Sequence, residues 1–221
     1  MNGWTDNLKD TLMHNFTDIA GLAGVASAVA AGLLLIPGVA RLSRLRLIVL
    51  QVTVFALLLI PFGELPPAAY LRGVTGDLSI TTLALIGCAL SRSVFTCDGN
   101  DAGNRRALLT LVALVALPLY PLSLGLTAFD PYRLGFGDPL FVAVLLLFAL
   151  AAWILKHHLI ASCISLAILA WTTGWYESGN LWDYLLDPLL SIYALAAIMI
   201  QAVKALTQKG RLLGPQPPIK G

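Results

Sequence analysis

The residues able to do chemistry in this chain are gathered in three short polar segments, 63–77, 129–139 and 176–188. Each mixes acids, aromatics and turn formers, and each precedes an apolar run. A candidate binding surface is formed by Arg72, Tyr120, Asp130, Tyr132, Arg133, Glu177 and Asp183. If the three segments converge, their carboxylates repel one another and favour a cation, ion pairing with Arg72 and Arg133, or a basic partner. Whether these acids hold a metal is left open by the sequence. Four other acids, Asp18, Asp77, Asp138 and Asp187, each stand just before an apolar run. There an aspartate is expected to accept hydrogen bonds from the free N–H groups of a helix start and to face its positive dipole end. Pro139 and Pro188 then fall at the first helical position, where a missing N–H costs nothing.

Gly135-Phe136-Gly137-Asp138, followed by an apolar run, resembles the GxGD motif of the intramembrane aspartyl proteases, the presenilin and prepilin-peptidase group. The resemblance implies two aspartates, one acting as base on a water and the other, protonated, polarising the peptide carbonyl. Asp77, in Gly76-Asp77, is the partner it implies for Asp138. The match covers four residues and one hydrophobic run. That family's Tyr-Asp pair inside an upstream span has no counterpart, and its Pro-Ala-Leu-Pro segment is approached only by Asp187-Pro188-Leu189-Leu190.

Other catalytic sets are thin. There is no GxSxG, HExxH or phosphate-binding loop. His157 and His158 sit beside Lys156 in a turn, and His14 has no triad partner in view. Cys88, Cys97 and Cys163 form no CxxC, and no apolar run carries a histidine at its middle for haem. No cofactor is expected, and whether the chain is an enzyme at all is left open.

The elements that must position these residues are membrane helices. The 221 residues are 58% hydrophobic and 12% charged, with a mean hydropathy of +0.82. An ordinary soluble domain carries about 45–50% apolar and about 25% charged residues. Disorder, a disulfide scaffold and a nucleic-acid-binding domain are excluded on this composition. Apolar runs at 19–39, 47–62, 78–95, 107–126, 139–155, 159–175 and 188–206 are separated by charged or Pro/Gly-rich breaks. They lack the alternation of barrel strands, so the expected fold is all-α, a polytopic membrane bundle of about seven transmembrane helices.

Charge orients that bundle. Eleven of the 14 basic residues, all but Lys9, Arg72 and Arg133, follow odd-numbered runs or flank them, whereas ten of the 12 acids fall on the opposite face. Basic loops stay in the cytoplasm, so the N-terminus is expected outside and the C-terminus inside. The absence of a targeting segment, with the compact chain, points to a bacterial inner (plasma) membrane. Trp4, Leu8, Leu12 and Phe16 form one apolar stripe, so residues 1–16 read as an interfacial amphipathic segment, 17–207 as the helix bundle and 208–221 as a flexible cytoplasmic tail.

Span centres hold almost no ionisable residue, which disfavours an ion pump. Gly21, Gly24, Ala28 and Gly32 step by three or four along the first run, the spacing of a close helix–helix contact with another membrane protein. The expected function is a small non-enzymatic partner or assembly subunit of a membrane complex, with an acidic and aromatic outer-face site. The alternatives are a transporter or lipid-handling protein with an outward-opening site, and the GxGD protease. Expected partners are membrane lipids and another membrane protein, met through helix 1 or the outer loops, and no nucleic acid.

Overall fold

The computed structural model describes residues 3–94, 101–126 and 128–212, and among these there is no strand. Helix α1 spans Gly3–Gly32, α2 Arg44–Leu59, α3 Pro67–Thr75, α4 Ile80–Val94 and α5 Asp101–Pro121. They are followed by α6 Pro139–Ile154, α7 His158–Thr172, α8 Leu181–Leu185 and α9 Pro188–Leu212. The helix ends follow local chemistry. Ile36 and Ile60 each precede a proline and turn to extended backbone, which stops the chain continuing as helix beyond α1 and α2. Pro67, Pro139 and Pro188 open α3, α6 and α9. Helix α5 runs through Pro118 and Pro121, each of which removes a backbone donor, and it loosens into a π turn, Leu122–Leu126, that ends near Gly125 at φ 87.

The expectation of a separate segment 1–16 meets a continuous helix. The backbone of α1 passes unbroken through residue 16, and the side chains of 1–15 lie outside the described residues. Of the expected tail, α9 takes in residues up to Leu212, and 213–221 lie outside the described residues.

Three helical stretches are long and apolar enough to cross a membrane: Phe16–Leu35, Ala102–Gly125 and Pro188–Thr207. Ile80–Ser91, Pro139–Ile154 and His158–Thr172 are apolar but shorter. The surface agrees with a lipid solvent: Leu146, Leu147 and Leu150 on α6 and Ile192, Met199, Ile200 and Val203 on α9 are exposed. Exposed apolar faces of this kind mark contact with a membrane or with another protein.

Helix α7 lies at the centre, packed against α4, α5, α6 and α8. Its buried face is Ile160, Ala161, Cys163, Ile164, Ala167 and Ala170, and the alanines let the neighbours approach closely. Leu108, Leu109, Val112 and Ala113 of α5 and Leu190 and Ala194 of α9 complete that core. Helix α1 packs on α2, α3 and α4 at the side.

Two carboxylate clamps join these groups. Asp187, 3% exposed, accepts from Leu190 N at 2.8 Å and so caps α9, as expected from sequence. Its other oxygen accepts from Ser79 N at 3.0 Å, from Ser79 Oγ at 2.7 Å and from the Thr82 hydroxyl. One side chain thereby holds the starts of α4 and α9. Asp138 caps α6 through Phe141 N at 2.9 Å, also as expected.

The other two expected caps are corrected. Asp18 lies inside the continuous α1 and has no helix start to cap. Asp77 yields the cap of α4 to Ser79, whose Oγ accepts from Thr82 N at 3.2 Å. Both aspartates instead grip Arg72 of α3. Its Nε and Nη2 bond the two oxygens of Asp77 at 2.6 and 3.0 Å, and its Nη1 bonds Asp18 at 2.8 Å. Gly21 is the residue of α1 against which this pair lies; a Cβ there would overlap both Asp77 and Arg72.

Replacing Asp187 by Ala orphans buried hydroxyl and N–H donors of two helices, each costing about 1–3 kcal/mol. The expected outcome is a clearly lower midpoint of thermal unfolding in detergent. Asp187→Asn, which keeps one acceptor oxygen, should lose less. Equal midpoints for Asp187→Ala and the parent chain would show that the clamp does not hold the helices.

Candidate functional site

The segments 129–139 and 176–188 meet at the end of the bundle where α8 lies. Asp130 accepts from Tyr132 N at 2.9 Å and so starts a 3-10 turn, Pro131–Gly135. Asn180 does the same for α8 by accepting from Trp182 N at 2.9 Å. The two short elements are then tied side by side. The Asn180 amide donates to the Tyr132 carbonyl and the Trp182 indole to the Pro131 carbonyl, both at 3.0 Å. Gly135 is buried in this seam, where a Cβ would collide with the Asn180 side chain and Trp182.

Across the seam the Tyr132 hydroxyl donates to Asp183, 2.9 and 3.0 Å from its two oxygens. Ser178 donates to the same carboxylate. Behind them Tyr184, fully buried, accepts from Tyr176 N at 3.1 Å. Tyr176 in turn donates to the Leu78 carbonyl at 2.8 Å, which brings the end of the first polar segment into the cluster. Trp171 of α7 fixes the same loop by donating to the Gly179 carbonyl at 2.9 Å.

Three cavities lie around this cluster. One of about 230 Å³ has largely apolar walls, from Leu119, Leu124, Trp182 and Leu186, into which Tyr120, Ser123, Tyr132 and Asp183 bring its polar groups. Ser123 reaches it from the π turn that follows Pro121, and its Oγ is buried with no hydrogen-bond partner among the described residues. The Tyr120 hydroxyl lies 3.4 Å from Ser191 Oγ at the start of α9. An apolar cavity of about 220 Å³ runs between α5, α6 and α7, past Val112, Val115, Val144, Leu145, Phe148 and Ile164. Trp182 and Leu186 belong to the walls of both. A cleft of about 260 Å³, lined by Thr75, Asp77, Tyr176, Ser178 and Asp187, reaches Asp183 and Leu186 from the other side.

The residues singled out from sequence therefore part company. Tyr120, Tyr132 and Asp183 line one cavity. Asp130 serves the turn that carries Tyr132, while Arg133 and Glu177 are exposed beside it. Arg72 belongs to the Asp18 and Asp77 clamp. The Gly135–Asp138 motif is occupied with holding the backbone. Gly135 admits Asn180 and Trp182, Gly137 turns the chain at φ 88, and Asp138 caps α6. Asp77 meanwhile has both oxygens on Arg72.

Gly21 and Gly24 of the small-residue face look inward, toward Arg72 and Asp77 and toward Leu83, whereas Gly32 has nothing within 4 Å. Among the described residues no group of three His, Cys, Asp or Glu is placed to hold a metal. His157 lies 3.4 Å from Asn104 and touches none of these cavities.

Ser123, Ser178, Asn180 and Trp182 escape a reading of the sequence alone. Asn180 carries a signal there, an N-cap residue three positions before an acid. For Ser123 the hint is its place between Pro121 and Gly125, which cannot both sit in an undisturbed helix end. No protein-family model, curated protein or solved structure matches the chain.

Burial pushes the Tyr132 phenol above the usual tyrosine range, and donation to the Asp183 carboxylate pushes it the same way. Tyr176 is likewise raised, first by burial and then by the nearby charge of Asp77. A raised pKa in the folded chain means that the Tyr132–Asp183 bond contributes fully below the ordinary tyrosine value of about 10 and is lost as pH rises through the higher folded value. Absorbance titration near 295 nm should therefore show a tyrosine fraction ionising later than the rest. Tyr132→Phe should remove part of it, and an unchanged titration curve would contradict the bond.

Proposed function

We propose that this chain is a multi-pass protein of the bacterial inner membrane that binds and handles a lipid-like amphiphile in a site opening to the outer face, without chemistry of its own. One observation carries this reading: the polar and apolar cavities share Trp182 and Leu186 as common wall. A hydrocarbon tail needs a dry groove, and a headgroup needs a few placed polar partners at its end. The apolar groove between α5, α6 and α7 supplies the first, and Tyr120, Ser123 and Asp183 the second. Asp183 also borders the cleft beside Asp77 and Asp187, which gives the headgroup an exit.

The topology that goes with this function is seven crossings, with the N-terminus outside and the C-terminus in the cytoplasm. It is supported by the sorting of Lys and Arg. The helices of 15 or 16 residues, α2, α4, α6 and α7, measure roughly 22–24 Å at 1.5 Å per residue. They reach across a core of about 30 Å only with local thinning or with help from their flanking residues. The assembly-subunit reading loses part of its footing because Gly21 and Gly24 are taken up by contacts inside the chain.

The test is quenching of tryptophan fluorescence in the detergent-purified full chain by dibromostearoyl amphiphiles bearing glycerol, glycerol phosphate or phosphocholine headgroups. At least one should quench saturably. The saturable part should fall in Trp182→Phe, and Val115→Phe, which narrows the groove, should weaken binding about tenfold. If every amphiphile quenches only in proportion to its concentration, identically in all three chains, the chain has no such site.

A further inference from the structure

We infer that the headgroup taken by this site is an uncharged polyol, glycerol or a single sugar, and not a phosphate. The inference rests on the amphiphile reading above and adds the chemistry of the recognised group. The polar groups of the cavity beside Trp182 are hydroxyls and one carboxylate, from Tyr120, Ser123, Tyr132 and Asp183, set among leucines, and among the described residues no Lys, Arg or His lines it. The cleft beyond it adds Asp77 and Asp187 and again no described cation. Arg72, which bonds the Asp77 of that cleft, has its guanidinium spread over Asp77 and Asp18.

A phosphate drawn into this space would bring two or more negative oxygens toward Asp183 with no described cation in the lining to meet them, where screening by water is reduced. A hydroxyl group has the reverse fit. It donates to Asp183, whose present donors are Tyr132 and Ser178, and it accepts from the rotatable hydroxyls of Tyr120 and Ser123. Ser123 Oγ points the same way. It is buried without a partner among the described residues, and buried polar groups in folded proteins are ordinarily satisfied. Ser123 belongs to the cavity wall, and rotation of its side chain toward the cavity would let a ligand hydroxyl give it one. The indole of Trp182, tilted on Phe141 at a centroid distance of 4.7 Å, forms a firm wall at the junction with the groove.

The experiment holds the chain constant and varies the head. 1-Oleoylglycerol, an oleoyl glucoside, oleoyl lysophosphatidate and oleoyl lysophosphatidylcholine are titrated against the detergent-purified full chain, with affinities read by native mass spectrometry. Binding of one or both polyol ligands at least tenfold tighter than lysophosphatidate is expected, and their ranking separates glycerol from sugar. Asp183→Asn should narrow that ratio to about threefold or less by admitting the phosphate. Ser123→Ala, a milder change, should weaken the polyol ligands several-fold and leave lysophosphatidate unmoved. Equal or tighter binding of lysophosphatidate overturns the headgroup assignment while leaving the amphiphile site standing. Absence of saturable binding by all four overturns the site and the assignment together.

Discussion

A single buried carboxylate, Asp187, fixes how the starts of α4 and α9 meet. Asp187 accepts from the first turn of α9 and from the backbone and two hydroxyls at the start of α4. In an apolar surround each of those donors would be costly if left alone, so the two helix starts are constrained to lie against one another. Ser79, itself fully buried, repeats the logic by capping α4 while donating to Asp187. The start of α9 carries Ser191 toward Tyr120, and α8 leads directly into Asp187. The position of the candidate site is thus inherited from that clamp.

The short elements around the site combine core burial, through Leu181, Tyr184 and Leu185 of α8, with a set of polar ties. Helix α8 has five residues and the 3-10 turn beside it has five, too few for intrinsic helix stability. They are held by that packing and by side chain-to-backbone bonds from Asn180, Trp182, Asp130 and Trp171. This arrangement explains why glycine stands at 135, where Asn180 and Trp182 come too close for a Cβ. Tyr132, Tyr176 and Tyr184 add to it by using their hydroxyls inward.

The end of α5 makes the complementary contribution. Pro118 and Pro121 deprive the last turns of donors, and the π turn up to Gly125 lets the backbone depart from the helix axis. Tyr120 and Ser123 sit in this loosened stretch and both line the polar cavity.

Composition and local order along the chain suffice for the helical class and the helix stops. The long apolar runs call for helices, three of which are long and apolar enough to cross a membrane. Asp138-Pro139 and Asp187-Pro188 announce helix starts, because a cap involves only residues within one turn. Even there locality misleads at Asp18 and Asp77, since an aspartate before an apolar run looks the same whether it caps a helix or faces an arginine from another one. The partners of Arg72, the second helix held by Asp187 and the meeting of Tyr120, Ser123, Tyr132 and Asp183 belong to the packing of distant segments. Tens of positions separate most of those partners along the chain, and no periodicity or spacing encodes the crossing of helices that brings them together. Asp130, Arg133, Glu177 and Asp183 are alike as charged loop residues in the sequence. The fold separates them, because of these four only Asp183 lies where two cavities meet.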